Sequence, residues 1–232
     1  MRREEEARER LDGPVAPTDR AAVLADIDRL NTWFGGHALT LGAVRRLLEA
    51  APARLRARVV VDVGGGRGDL AGRLARAAGR RKQRLLIVIL DRDVEGLVLA
   101  ASACRAHPEI ARVCADATAL PFRDEGVDVV TGALILHHLS PEAAVASLGA
   151  MRAAARIGVV VNDLLRTRLS WLLVVVATRL LARHAISRHD GPLSVRRAYA
   201  PDELRVLCEK AGWRRFTIRR FRLLCRVLVV AS

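Results

Sequence analysis

The sequence predicts an α/β fold: a mostly parallel seven-stranded sheet with helices on both faces and a C-terminal antiparallel hairpin. Three observations carry that prediction. Short apolar runs alternate with helix-length segments between residue 59 and about residue 161, the pattern of repeated β-α-β units. The runs are apolar on successive residues, as strands covered on both faces require. The first run, residues 59–63, leads into Gly64-Gly65-Gly66-Arg67-Gly68, a turn crowded with residues that lack a Cβ, before a helix starts at Asp69.

The elements follow in chain order. Residues 1–18 join the mixed-charge MRREEEARER to LDGPVAPT and read as a flexible N-terminus. They lack the apolar run of a signal peptide, so a cytoplasmic protein is expected. From residue 19, Val23, Ile27, Leu30 and Phe34 recur at helical spacing until Gly35-Gly36, and a second helix over 39–50 precedes Pro52. Residues 19–51 thus form a helical cap ahead of the sheet. Strands are expected at 59–63, 85–90, 111–114, 127–131 and 158–161, with helices at 69–79, from Asp91 to about 107, and at 141–153.

Residues 164–200 break the alternation and read as a helical lid or substrate insert. Its centre, 169–177 (LSWLLVVVA), is apolar all round but bounded by Arg168 and Arg179, about half the roughly 20 residues of a membrane span. Three roles stay open for it: a helix buried under neighbours or in a homodimer contact, a lid over a lipophilic substrate, or peripheral contact with a membrane surface. The polar HDGPLSVRRAY follows, with a turn at Asp190-Gly191-Pro192. Two strand-like runs, 216–221 and 223–230, make the closing hairpin. At 232 residues, 19–232 suits a single domain.

Composition narrows the function. The hydrophobic share is 51% and the aromatic share 3%, so the core is built from Leu, Val and Ala. Cys104, Cys114, Cys208 and Cys225 show neither a CxxC nor metal-ligand spacing; buried free thiols in a reducing compartment, and no metal, are expected. The net charge of +14 comes almost wholly from Arg spread along the chain, with Lys82 and Lys210 the only lysines. With few aromatics to stack on bases, that distribution argues against a nucleic-acid partner.

The Gly-rich turn at a helix start suits an electron-rich ligand group, hence a nucleotide-like cofactor. The spacing Asp62-x-Gly64-x-Gly66-x-Gly68, with an acid two positions before the first Gly, resembles the class I S-adenosylmethionine-dependent methyltransferases. The resemblance is to their small-molecule branch, which includes the ubiquinone/menaquinone biosynthesis enzymes, and covers about residues 57–163. It implies a Rossmann-like fold with S-adenosyl-L-methionine held by Asp62, Gly64, Gly66 and Gly68. It further implies that Asp91, ending the second strand, accepts from the ribose hydroxyls, and that Asp116 and Ala117, ahead of Leu120-Pro121-Phe122, read the adenine. Ala133 would pack on the methionine part.

His137 and His138 follow the fourth strand, near where the methyl group would lie. Adjacent residues point different ways, so at most one faces the substrate; imidazole is mostly neutral at cytoplasmic pH and suits a general base. Trp33 and His37 on the helical cap, Asp163 after the fifth strand, and Arg196, Arg197 and Tyr199 in the insert are candidates for contacting the acceptor. The expected reaction is methyl transfer to an oxygen or carbon nucleophile of a small lipophilic or phenolic acceptor. An RNA methyltransferase is a rival, although 131–139 holds neither an Asn/Asp-Pro-Pro-aromatic loop nor a Pro-Cys. An NAD(P)-dependent oxidoreductase is another, since Gly66-x-Gly68-x-x-Ala71 with Asp91 fits a relaxed dinucleotide fingerprint, but no Tyr-x-x-x-Lys pair accompanies it. A non-catalytic cofactor-binding or partner protein is the third.

Overall fold

A computed structural model of the chain describes residues 1–52 and 55–232. Five parallel strands, β1 (Arg58–Val63), β2 (Leu85–Asp91), β3 (Ile110–Cys114), β4 (Val127–Ala133) and β5 (Ala155–Leu164), are joined by two antiparallel ones, β6 (Phe216–Phe221) and β7 (Arg226–Ala231). Their order across the sheet is β3-β2-β1-β4-β5-β7-β6. The chain leaves β1 toward β2 and β3, then returns to β4 on the other side of β1. That reversal opens a crevice at the carboxyl ends of β1 and β4, where ligands of open α/β sheets sit.

Alternation along each strand divides the core. Val61, Val63, Leu90 and Val130 pack with Leu148 and Met151 of α5 (Pro141–Ala154) and Leu204 of α8 (Pro201–Lys210). Val60, Ile89, Val129 and Val160 face the other way, onto α2 (Gly36–Ala50), α3 (Asp69–Arg80) and α4 (Val94–Ala103). The outer strands β3 and β6 expose Arg112 and Arg219 and Arg220. Strand β5 runs ten residues because it pairs with β4 on one side and β7 on the other, which places Asn162 and Asp163 inside the strand.

Two expectations need correction. Residues 1–18 are not a free terminus. Helix α1 (Pro17–Trp33) begins within them, and residues 3–12 form a strap fixed by long-range bonds. Arg3 donates to the carbonyls of Arg197 and Leu139, and the NH groups of Arg10 and Leu11 each donate to Asp190, at 3.0 Å. The expected turn at Asp190-Gly191-Pro192 lies instead inside α7 (Ala185–Arg197). Tertiary packing holds that helix: a Cβ on Gly191 would lie 2.6 Å from Thr178 Cγ2 of α6 (Arg168–Leu181), so Gly191 lets the two helices touch. Helix α6, apolar all round in sequence, is buried on one face only. Ser170, Val174 and Thr178 are buried while Leu172, Val176 and Leu180 face outward. Among the described residues no helix is long and apolar enough to cross a membrane.

Candidate active site

One cavity of about 630 Å³ occupies the crevice, bounded by the Gly-rich turn, the ends of β2 and β4, α1, the strap and α7. Its first half is backbone. Gly64 and Gly66 line it with φ of 69° and 49°, and a Cβ on Gly64 would meet Ile135 Cδ1 at 2.7 Å. Asp91 receives the Gly66 NH on Oδ2 at 2.8 Å and the Asp93 NH on Oδ1 at 2.9 Å. Each carboxylate oxygen keeps a lone pair, enough for a pair of vicinal hydroxyls. Asp116 accepts from the Thr118 NH and hydroxyl on one oxygen, which lowers its pKa and leaves the other oxygen clear; Asp116, Ala117 and Ala133 all line the cavity. Asp62, buried beneath the turn, accepts from Thr131 Oγ1 at 3.1 Å. Burial, with Asp91 and Asp69 nearby, pushes its carboxyl up to about 7.

Gly68 does not line the cavity. Its φ of 80° and the 2.6 Å a Cβ would leave to Ile89 Cδ1 make it the residue that seats α3 on the sheet.

The second half holds the titratable groups. The short 3-10 turn Leu136–His138 leaves β4 and carries both histidines. His137 is buried, and its Nδ1 lies 2.6 Å from Asp163 Oδ1, while its backbone NH donates to Asp163 Oδ2 at 3.2 Å. The Leu164 NH completes the set on Oδ1 at 2.7 Å. Burial alone would raise the Asp163 carboxyl, but the charge and hydrogen bond of His137 outweigh it and hold the pKa below the usual value. When the ring is neutral, the Asp163 contact favours the Nδ1–H tautomer and leaves the lone pair on Nε2. Nε2 lies 3.7 Å from Glu9 Oε1 of the strap.

His138 is placed differently. Its Nδ1 contacts Asp12 at 3.1 Å, and its ring centroid is 4.2 Å from that of His137. Burial lowers its pKa, but the Asp12 hydrogen bond and the Glu9 charge prevail and the net shift is upward. Glu9, His137 and His138 bring ligand atoms within 4.8 Å of one another, close enough for one cation. Their charges are met without one: Glu9 accepts from Ser194 Oγ at 2.9 Å and faces Arg197 Nε at 3.8 Å.

Around this centre Phe34, Leu134, Leu164 and Val174 form an apolar wall, and Arg226 of β7 enters it. His37 also lines the cavity, with Nε2 2.8 Å from Asp28 Oδ1. Asp28 is thereby held at about 2, by the His37 hydrogen bond above all and by Arg73, against the opposing effect of burial.

Five acceptor candidates do not line the cavity. Asp163 has both oxygens committed to His137 and Leu164, so it positions the histidine. Trp33 is 70% exposed at the end of α1, because the helical face it occupies points away from the sheet. Arg196 is exposed and paired with Glu4. Tyr199 is buried under Arg3, and its hydroxyl donates to the Leu139 carbonyl. Arg197 is buried too, donating to the His137 and His138 carbonyls, and so braces the turn. Sequence reasoning missed Glu9, Asp12 and Arg226. The last had one signal: a charge at the head of the otherwise apolar RVLVVA strand.

Residues 60–158 match a family model described as a methyltransferase domain. No curated protein matches. Among solved structures, one provisionally described as an O-methyltransferase from Nostoc punctiforme has a TM-score of 0.65 at 13% identity, over 99% of this chain and 64% of that one. Human N-acetylserotonin methyltransferase, in complex with S-adenosylmethionine, has a TM-score of 0.62 at 15% identity, over 92% and 56%. A SAM-dependent methyltransferase from Aquifex aeolicus has a TM-score of 0.57 at 16% identity, over 94% and 98%. The chain spans two thirds or less of the length of the first of these similar structures. At such identities the likeness is one of fold.

Proposed function

We propose, on the premise that this chain carries a class I S-adenosylmethionine-dependent methyltransferase domain, that it transfers a methyl group to an oxygen or carbon nucleophile of a small, apolar acceptor. One observation carries the reading: a single cavity joins the Gly64–Asp91–Asp116 rim to the His137–Asp163 pair. The rim fits the cofactor. Asp91 offers two lone pairs for the ribose, Asp116 an open oxygen for the adenine, and Gly64 a surface that a side chain would fill.

S-adenosylmethionine supplies an activated methyl electrophile, so the protein's part is alignment, exclusion of water and handling of one proton. The apolar wall of Phe34, Leu134, Leu164 and Val174 orients the acceptor and keeps water out. His137 Nε2 takes the acceptor's proton as its nucleophile is methylated. Asp163 holds the ring in position and stabilises the imidazolium, and Glu9 adds a second negative charge on its far side. The quinone, polyketide-like phenolic and fatty classes of acceptor all fit an apolar wall.

Parallel calorimetric titrations with S-adenosylmethionine, S-adenosylhomocysteine and NADH test the reading. Micromolar binding of the first two and none of NADH is expected. Binding of NADH alone would replace it with an oxidoreductase.

A further inference from the structure

Arg226 opens β7 opposite Leu164, at the carboxyl end of the parallel strands and beside the apolar wall. It is 2% exposed, and its Nε and Nη1 have no hydrogen-bond partner among the described residues. Burial lowers its pKa to about 10, with Asp163 opposing the shift, so it stays charged at neutral pH. No hydrogen bond or ion pair joins Asp163 to it among the described residues; Asp163 Oδ1 accepts from His137 and Leu164, and Oδ2 from the His137 NH. The chain makes room for the guanidinium: a Cβ on Gly36 would lie 3.2 Å from Arg226 Nε and still closer to Asn31 Oδ1. A buried, charged, under-partnered group in a cavity wall is costly to the fold unless something else pairs with it.

We propose that Arg226 binds a carboxylate on the methyl acceptor, so that the substrate is an apolar acid. This rests on the methyl-transfer reading above. The surrounding Phe34, Leu134, Leu164 and Val174 take the carbon skeleton, and the guanidinium fixes its charged end by charge-assisted hydrogen bonds. Of the other arginines lining the cavity, Arg20 is paired with Asp93 and Glu95, Arg67 with Asp69, and Arg92 is exposed beside Asp91, which leaves Arg226 as the buried one to meet an anion.

The test uses the full chain loaded with S-adenosylhomocysteine and two matched probes, benzoate and benzamide, by calorimetry. Benzoate is expected to bind at least tenfold more tightly than benzamide. Arg226→Gln should abolish that preference while leaving affinity for S-adenosylhomocysteine within twofold, and Arg226→Lys should restore part of it. The unliganded glutamine variant should melt at or above the wild-type temperature, since it removes a buried charge without a partner.

Equal binding of the two probes by wild type would overturn the proposal. So would a glutamine variant that loses S-adenosylhomocysteine but keeps the probe preference, which would assign Arg226 to the cofactor's own carboxylate. A marked fall in melting temperature would assign it to the fold instead. Failure of S-adenosylhomocysteine to bind wild type at all would sink the methyltransferase reading; benzoate preference in the free protein then reads Arg226 separately.

Discussion

His137 lines the cavity with one nitrogen against Asp163 and the other 3.7 Å from Glu9 Oε1, and it is the second that a general base would use. His137→Gln is expected to lower kcat by about 10²–10⁴ with little change in S-adenosylhomocysteine affinity, as initial rates and calorimetry would show. Asp163→Asn should act in the same direction and move the pH profile, because the tautomer is no longer fixed. Asp62 makes a second prediction. Its folded pKa of about 7 lies above the ordinary carboxyl value of 3.8. The folded chain therefore holds a proton that the unfolded chain gives up, and stability falls as pH rises from 3.8 to about 7 and is level beyond. Asp62→Asn keeps the Thr131 contact but removes the titration, so its melting temperature should drop less between pH 5 and pH 8 than that of wild type. Residues named by local motifs, such as Gly64, Gly66, Asp91, Asp116 and His137, come together in the cavity because a strand end and its turn fix them within a few residues. Trp33 and Arg196, chosen for chemistry and nearness along the chain, do not, since helix phase decides which way a side chain faces and polar sequence leaves that phase undetermined; Tyr199 lies past the end of α7, packed under Arg3.

The strap, with one short 3-10 turn at Arg10–Asp12, is held at Asp190, Arg197 and Ser194 of α7. It carries Glu9 to His137 and Asp12 to His138. Deleting residues 1–12 should leave the far-UV circular dichroism unchanged, because the sheet and its two core layers lie elsewhere. Turnover should fall at least tenfold, as Glu9 goes and water reaches the cavity, and initial-rate kinetics would show it. The strap was illegible in the sequence because its partners are about 130–190 residues away and MRREEEARER has no apolar periodicity. Helix α7 was hidden for the opposite reason. Gly191 and Pro192 are strong local turn signals, and the contact of Gly191 with α6 overrides them. Strands and helices from β1 to α5 were legible because covered strands and amphipathic helices repeat on a short period.

Across the whole molecule, several of the arginines behind the charge of +14 are met by acids. Arg58 and Arg156 meet at Asp128, Arg67 and Arg73 at Asp28, and Arg20 bridges Asp93 and Glu95. Arginines paired in this way have little left for a phosphate backbone. Total tRNA should give no retained complex at physiological salt in an electrophoretic shift, and affinity for S-adenosylhomocysteine should change little between 50 and 500 mM salt, unlike the steep slope of phosphate binding. The sheet's order follows from its alternation of elements, but the depth of the acceptor compartment depends on where β7 begins, which no local pattern states. Other arginines have their own use at the rims of the sheet. Arg112 on β3 and Arg219 and Arg220 on β6 stand at its two open borders, where exposed backbone would otherwise template another chain. Like charges facing one another there discourage lateral stacking of sheets between molecules, so the protein should resist fibril growth even when concentrated.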